Sequence, residues 1–230
     1  MLPQPTEESC GPTCLHAVYD YYGDKIKLDQ VIREVNKVKG GGTLAVMLGN
    51  HALDRGYEAT IYTYNLQVFD PTWFQKPVDL KQKMLDQQKA KSSKKLKQAT
   101  KAYLKFLEKG GKIIHEELTP FLLMSILARQ LPILTGLSAT YLYQSAREIP
   151  EHNQYDDIRG LPAGHFVLIS DYDHQSGQVF IADPLNPNPI KQQQQFYSVD
   201  IHRVINAILL GIVTYDANLL ILSGPASCKE

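Results

Sequence analysis

The segment GHFVLISDYDHQSGQVFIAD, residues 164–183, carries the strongest indication of the fold. Its first ten and last six residues are rich in β-branched and aromatic side chains, and HQSG between them is a turn signal, so the segment predicts a β-hairpin. If the turn centres near His174, His165 at the start of the first strand lies opposite residues 183–185 at the end of the second. This register would bring the Asp183 carboxylate within reach of the imidazole.

Helices and further strands surround this hairpin. Apolar spacing and capping signals predict helices at residues 10–22, 28–35, 43–55, 201–210 and after Thr119-Pro120. Strands are expected at 58–64, 132–138 and 218–222, and long polar loops at 144–162 and 184–195. The chain has 230 residues, a length that suits one domain or one domain with an insertion.

Three consecutive glycines, residues 40–42, precede the third of these helices. They lack the Gly-Lys-Ser/Thr ending of a phosphate-binding loop, and we interpret them as a hinge-like connector. Thr43 follows directly. We expect it to cap the helix, because a threonine side chain can accept a hydrogen bond from a free backbone N–H of the first turn.

Cys10 lies in the first turn of the predicted helix 10–22. A helix N-terminus stabilises negative charge and, with a nearby cation, favours the nucleophilic thiolate form of a cysteine. Cys14 is one turn deeper and is expected to point into the core as an inert hydrophobe. With Cys228, the three cysteines are too few for a disulfide framework and do not have zinc-site spacing. Free thiols are therefore expected, and no metal or cofactor site is predicted.

Gln4, six residues before Cys10, is a candidate oxyanion-hole residue. Its side-chain amide can fold back beside the backbone N–H of Cys10, so that two donors would face a developing oxyanion. Other residues fit a catalytic role less well: His174 lies in the hairpin turn and His202 in a predicted helix. Tyr143, before the long loop, could border a substrate groove.

The formal net charge of zero hides an uneven charge distribution. Between Lys76 and Lys112 there are twelve lysines and three acidic residues, a local balance of +9, which leaves −9 on the remainder. This Lys-rich segment, at about 75–112, has apolar residues at helical spacing and predicts one or two exposed amphipathic helices inserted into the domain. We interpret its basic face as solvated, with a flap over the active site or an acidic partner as further options. Nucleic acid is not favoured, because few aromatic residues are available for base stacking.

The composition predicts no membrane span. The longest apolar stretch, around residues 205–213, is broken by Asn206 and Gly211 and is far shorter than the about 18 residues that a span needs. The first ten residues contain neither a basic region nor an apolar core typical of an export signal. We therefore expect a cytoplasmic location, with export left open.

Gln4 and the run Ser9-Cys10-Gly11-Pro12 at a helix start resemble the opening motif of papain-like cysteine peptidases. Within that clan the chain is most similar to the bacteriocin-processing peptidases, which remove double-glycine leaders, and to their stand-alone relatives. The resemblance continues, in the same order and spacing, through LPIL at 131–134, GHFVLI at 164–169 and IADP at 181–184. These motifs span nearly the whole chain.

This resemblance implies a papain-like α+β fold in a single domain, residues 1–230, with the Lys-rich helical insertion at about 75–112. A helical half would carry Cys10 on its central helix, an antiparallel sheet half would carry His165 and Asp183, and the site would lie between them. By analogy, Cys10 is the nucleophile, His165 the general base and acid, Asp183 orients the imidazole, and Gln4 lines the oxyanion hole. The implied reaction is hydrolysis of a peptide or isopeptide bond through a thioester, on a peptide or protein substrate.

Two alternatives stay open at the level of sequence. The same triad could serve an amide-modifying enzyme, such as a transglutaminase or deamidase, because triads recur in different chemistries. The chain could also be a non-catalytic binding module that uses the basic helical insertion. Cleavage after a double glycine is one option among several, because the membrane-spanning and ATP-binding regions that usually follow in the bacteriocin-processing enzymes are not found here.

Overall fold

A computed structural model describes residues 1–38, 42–150, 154–192 and 194–224, so Gly40, Gly41 and Cys228 lie outside the described residues. Within these ranges the helices are α1 (Cys10–Tyr21), α2 (Leu28–Glu34), α3 (Ala45–Asp54), α4 (Leu80–Ala90), α5 (Lys94–Glu108), α6 (Pro120–Leu127), α7 (Ala139–Tyr143) and α8 (Ile201–Leu210). The strands are β1 (Glu58–Thr63), β2 (Lys112–Ile114), β3 (Ile133–Ser138), β4 (Glu148–Ile149), β5 (Gln154–Tyr155), β6 (Gly164–Asp173), β7 (Gln178–Ala182), β8 (Phe196–Asp200) and β9 (Asn218–Ser223). The fold is α+β, as predicted.

Seven strands form one sheet in the order β2-β1-β9-β3-β6-β7-β8. Its neighbouring strands are antiparallel except for β1 and β2, which are parallel. The sheet is therefore mixed and not purely antiparallel, which corrects the prediction. The reason is topological: α4 and α5 lie between β1 and β2 in the chain, and a helical crossover lets the second strand run in the same direction as the first.

The hairpin of β6 and β7 has the predicted register. Leu168 pairs with Ala182 and Ile169 with Ile181, and a β-bulge then shifts the register toward the turn. Continued to the start of β6, this pairing sets His165 opposite Leu185. Asp183 is then the diagonal neighbour of His165 on the same face, a position from which side chains touch.

The sheet has an apolar core on each face. The first core contains side chains of α1, α3 and α5, and the second contains side chains of α6 and α8. Alternate residues of the central strands serve opposite cores, since successive strand side chains point to opposite faces. Leu134, Phe166, Leu168 and Leu220 face the first core, and Ile133, Val167, Ile169 and Leu219 face the second.

The Lys-rich segment contains two helices, but only part of it is solvated. In α4, Met84 is the buried residue. In α5, Leu96, Ala99, Tyr103 and Phe106 are buried and belong to the first core. The expectation of exposed amphipathic helices thus holds for the lysine faces, whereas the apolar face of α5 is part of the core.

Local signals were correct at some positions and wrong at others. Thr119 caps α6 as predicted, accepting a hydrogen bond from the Leu122 N–H at 3.2 Å. Thr43 does not cap α3, because the helix begins at Ala45 and the cap position falls on Leu44. The predicted loop 144–162 also contains two short strands, β4 and β5, which the sequence pattern does not predict. In the described part of the chain, no helix has the length and apolar character needed to cross a bilayer.

Candidate active site

Cys10 is the first residue of α1 and is half-buried against the first core. A short 3-10 turn, Glu7–Ser9, leads into the helix. The Thr13 hydroxyl donates to the Ser9 carbonyl oxygen at 2.7 Å, which fixes this entry. The structure thus places Cys10 at the positive end of a helix dipole, as predicted from the sequence.

Cys14 joins α1 to the strand that carries His165. Its side chain is fully buried, and its thiol donates to the Phe166 carbonyl oxygen at 3.3 Å. Burial, together with the nearby Cys10 and Asp183, raises the pKa of the Cys14 thiol well above its ordinary value. Cys14 is therefore a packed thiol, in agreement with the prediction.

His165 and Asp183 form a buried pair. The ring Nε2 of His165 lies 2.8 Å from Oδ1 of Asp183, and the imidazole is only 7% exposed. The two residues are 18 positions apart in sequence and meet because of the hairpin register. The predicted contact between them is present.

The Asp183 carboxylate is completely buried and accepts hydrogen bonds from four groups. Oδ1 accepts from His165 and from the Leu185 backbone N–H at 2.9 Å. Oδ2 accepts from the Tyr143 hydroxyl at 2.8 Å and from the Tyr197 hydroxyl at 2.6 Å. Burial alone would raise the pKa of Asp183, but His165 and these hydrogen bonds lower it, so the carboxylate stays ionised.

Tyr143 and Tyr197 were not predicted in this role. Tyr143 lines a cleft, as expected from the sequence, but it is also largely buried, and its hydroxyl donates to Asp183. The sequence pattern predicts no such role for Tyr197. Burial first, and Asp183 second, raise the pKa of both tyrosines, so both stay protonated donors. The alternation of residues 196–200 was the one local signal that could have shown Tyr197 to face inward.

Cys10 and His165 also interact directly. Burial would lower the pKa of His165, but Asp183 and a hydrogen bond with the Cys10 side chain raise it to about 10. A protonated imidazole is thereby stabilised beside Cys10. The three side chains form a connected series from Cys10 through His165 to Asp183.

Gln4 is tied to the same region through its backbone. Its N–H donates to the Pro184 carbonyl oxygen at 2.8 Å, next to Asp183. The side-chain Oε1 is buried and has no hydrogen-bond partner among the described residues. Gln4 and His165 line a common cleft of about 950 Å³.

A second, smaller cavity of about 260 Å³ is also lined by His165. Gly164, His165 and Glu7 line both cavities, so the two are adjacent. Cys10 lines the smaller one. The described residues contain no group of three His, Cys, Asp or Glu side chains arranged to hold a metal ion.

Three further histidines, at positions 16, 174 and 202, lie outside this arrangement. His174 is in the hairpin turn and packs edge-on against Tyr172. His16 contacts the Ile26 carbonyl oxygen at 3.0 Å, and His202 lies on an exposed part of α8. Cys10, Asp183 and Gln4 thus lie around His165, while these histidines do not, and the contact of the Gln4 amide with Cys10 stays a prediction.

Comparisons with known proteins identify a family and a structural neighbour. A comparison with curated proteins gives no match. Among solved structures, a Bacillus anthracis protein described as a C39-like peptidase aligns with a TM-score of 0.53 at 13% sequence identity, over 97% of this chain and 94% of its own. That likeness supports the fold. Residues 1–203 match the model of the Peptidase_C39 like family, and the chain belongs to that family.

Proposed function

We propose that this protein is a cysteine peptidase that cleaves a peptide or isopeptide bond, with Cys10, His165 and Asp183 as its catalytic triad. The observation that carries this proposal is the connected series from the Cys10 thiol through the His165 ring to the Asp183 carboxylate. Membership in the Peptidase_C39 like family supports the reaction class. The substrate is then a peptide or protein.

In the proposed reaction, the Cys10 proton has passed to His165, and the thiolate attacks the carbonyl carbon of the scissile bond. The resulting oxyanion would be met by the Cys10 backbone N–H and the Gln4 amide. His165 then gives its proton to the leaving amine, which leaves a thioester on Cys10. Water, deprotonated by His165, hydrolyses the thioester and restores the thiol.

Asp183 acts as a positioning residue in this scheme. It holds the ring through Nε2, which would leave the other nitrogen for Cys10. The tyrosine hydroxyls of Tyr143 and Tyr197 in turn fix the carboxylate, so its orientation does not depend on solvent.

The first test of the proposal is selective alkylation of the folded protein with iodoacetamide near neutral pH. Cys10 should react more than about tenfold faster than Cys14, because the imidazolium favours its thiolate while Cys14 is buried. The rate at Cys10 should fall in the His165→Ala variant. Peptide mapping by mass spectrometry measures both rates. Equal labelling of the two cysteines, or labelling indifferent to His165, would contradict the proposal.

The reaction itself is tested with a peptide library supplied together with a primary amine donor. The proposed hydrolase should produce cleaved peptides, and the Cys10→Ala variant should not. Amine incorporation or deamidation without cleavage would instead identify an amide-modifying enzyme with the same triad.

A further inference from the structure

Asp216 is a buried acid that the proposed triad does not use. It is 7% exposed, follows α8 in the turn before β9, and lines the smaller cavity together with Cys10 and His165. Acidic side chains are rarely buried without a partner, because removing the charge from water is costly. A buried acid beside the nucleophile therefore needs an explanation.

The surrounding backbone is shaped to hold this carboxylate. A Cβ on Gly136 of β3 would lie 2.7 Å from Oδ1 of Asp216, and one on Gly164 of β6 would lie 3.0 Å from Oδ2. The flanking Tyr215 and Ala217 have positive φ angles of 73° and 64°. Such angles in residues other than glycine cost about 1–2 kcal/mol each. The position of Asp216 is thus held at an energetic cost.

The charge of Asp216 is only partly compensated. Oδ2 accepts from the Thr214 hydroxyl at 2.8 Å, and in the described part of the chain no donor bonds to Oδ1. Lys95 stands exposed at the rim, its Nζ 3.4 Å from the Thr214 carbonyl oxygen and 4.4 Å from the Tyr215 ring centre. Burial raises the pKa of Asp216 to about 7, against the opposing effects of Thr214, Lys95 and His165.

Thr43 supplies an independent observation in the same cavity. It is 8% exposed, and its hydroxyl is buried without a hydrogen-bond partner among the described residues. Leaving such a group unpaired costs about 1–3 kcal/mol. Because Thr43 lines the cavity that Asp216 also lines, a bound polar group could satisfy both.

Asp216 gives the cavity one carboxylate in excess of its cations. Glu7 and Glu8 line it on the acidic side, and the Lys95 ammonium and the His165 imidazolium on the basic side, so the charge of Asp216 is the one left to be balanced. Glu8 also pairs at 3.4 Å with the partly exposed Lys37. The volume of the cavity, about 260 Å³, suits one side chain or one chain end.

We propose that this cavity is a specificity subsite that binds a primary ammonium group of the substrate, with Asp216 as the counter-ion and Thr43 as a neutral hydrogen-bond partner. The proposal rests on the proposed function, since it places the substrate against Cys10. The ammonium comes from a lysine side chain or from a free amino terminus. Both present the same chemical group.

The test compares two small thiol reagents of similar size on the full chain. Methyl methanethiosulfonate is neutral and 2-aminoethyl methanethiosulfonate is cationic. Mass spectrometry measures the rate at which each reagent modifies Cys10, and the ratio of the two rates is divided by the same ratio for free cysteine. This normalised ratio should favour the cationic reagent about tenfold. In Asp216→Asn this preference should fall at least threefold, while the matched Asp54→Asn variant, remote from the cavity, should retain it.

The two proposals fail in different ways in this experiment. A slow reaction of Cys10 with the neutral reagent, or one indifferent to His165, would overturn the proposed function. A fast reaction whose cation preference is the same in Asp216→Asn would overturn the subsite alone. Lys95→Gln, at an exposed position, gives a test that does not depend on folding of the Asp216 variant: the preference should rise, and an unchanged or lower preference would count against the subsite.

The source of the ammonium is identified by protection. Two peptides compete in turn with the neutral reagent for Cys10. One is N-acetylated and contains one lysine. The other has a free amino terminus and norleucine in place of lysine. Protection that weakens in Asp216→Asn supports the subsite, and the peptide that shows it identifies the source. Protection by neither peptide would overturn the proposal. So would protection that is equal in the natural chain and in Asp216→Asn.

Discussion

Asp183 and Asp216 show how the same side chain, buried in the same region, acquires opposite properties. Asp183 accepts four hydrogen bonds, one of them from the His165 ring, and its pKa is lowered despite burial. Asp216 accepts one side-chain hydrogen bond, from Thr214, and burial raises its pKa to about 7. The number and charge of the donors, and not burial alone, decide which carboxylate stays ionised.

The raised pKa of Asp216 predicts a cost in stability at neutral and alkaline pH. An unfolded aspartate has a pKa near 3.9, so between about pH 4 and pH 7 the folded state holds a proton that the unfolded state has lost. The free energy of unfolding therefore decreases over this range and stays low above it. Asp216→Asn cannot titrate and should be more stable than the natural chain by roughly 1–3 kcal/mol at pH 8.

Urea denaturation at pH 8 and pH 5 measures this difference. The advantage of Asp216→Asn should shrink at pH 5, where the folded natural chain keeps its proton. A variant less stable than the natural chain at pH 8 would show that the ionised carboxylate is already well compensated in the folded state. A gain in stability at pH 8 would fit a buried acid kept for binding and not for folding.

At the scale of elements, α5 decides how the Lys-rich segment relates to the core. The fully buried ring of Phe106 occupies space that side chains at Gly49 and Gly111 would otherwise fill: a Cβ at these positions would lie 2.7 Å and 2.4 Å from it. One face of the helix is therefore fitted to α3 and to the chain entering β2. The opposite face carries lysines and meets solvent.

Phe106→Ala should accordingly lower the free energy of unfolding by about 3–5 kcal/mol, because a large ring is lost from a packed site. Lys101→Gln, on the exposed face of the same helix, should change it by less than about 0.5 kcal/mol. Urea denaturation followed by circular dichroism compares the two. A small effect of Phe106→Ala would mean that the segment is an appendage that the rest of the fold does not need.

At the scale of the whole molecule, one sheet links both cores. Residues of β3, β6 and β9 contribute alternately to the two, so neither core can be lost without disturbing the other. The small and large cavities both reach His165, at the start of a strand that contributes to the two cores. We therefore propose that the chain folds as a single domain that includes the Lys-rich segment.

A single domain should unfold in one cooperative transition. Trp73, half-buried just before α4, reports on the Lys-rich segment by fluorescence, while far-ultraviolet circular dichroism reports on the whole chain. The two urea transitions should coincide in midpoint. Loss of the Trp73 signal at clearly lower urea would show that the segment unfolds independently and would contradict the single domain.

Much of the fold could be predicted from the sequence, because the relevant signals are local. The start of α1 at Cys10, the cap at Thr119 and the hairpin that aligns His165 with Asp183 follow from spacing, capping and turn chemistry within a few residues. Together with the family resemblance, these signals predicted the α+β class and the contact between His165 and Asp183.

Only the tertiary structure revealed the partners of these residues. The hydroxyls of Tyr143 and Tyr197 donate to Asp183 from 40 and 14 positions away in the sequence. Asp216 lines the same cavity as Cys10 and packs against glycines on two other strands. The parallel pairing of β2 and the burial of α5 were likewise revealed only by the tertiary structure. Periodicity in a sequence indicates which face of an element is buried. It does not indicate which distant side chain lies against that face, because long-range packing determines that contact.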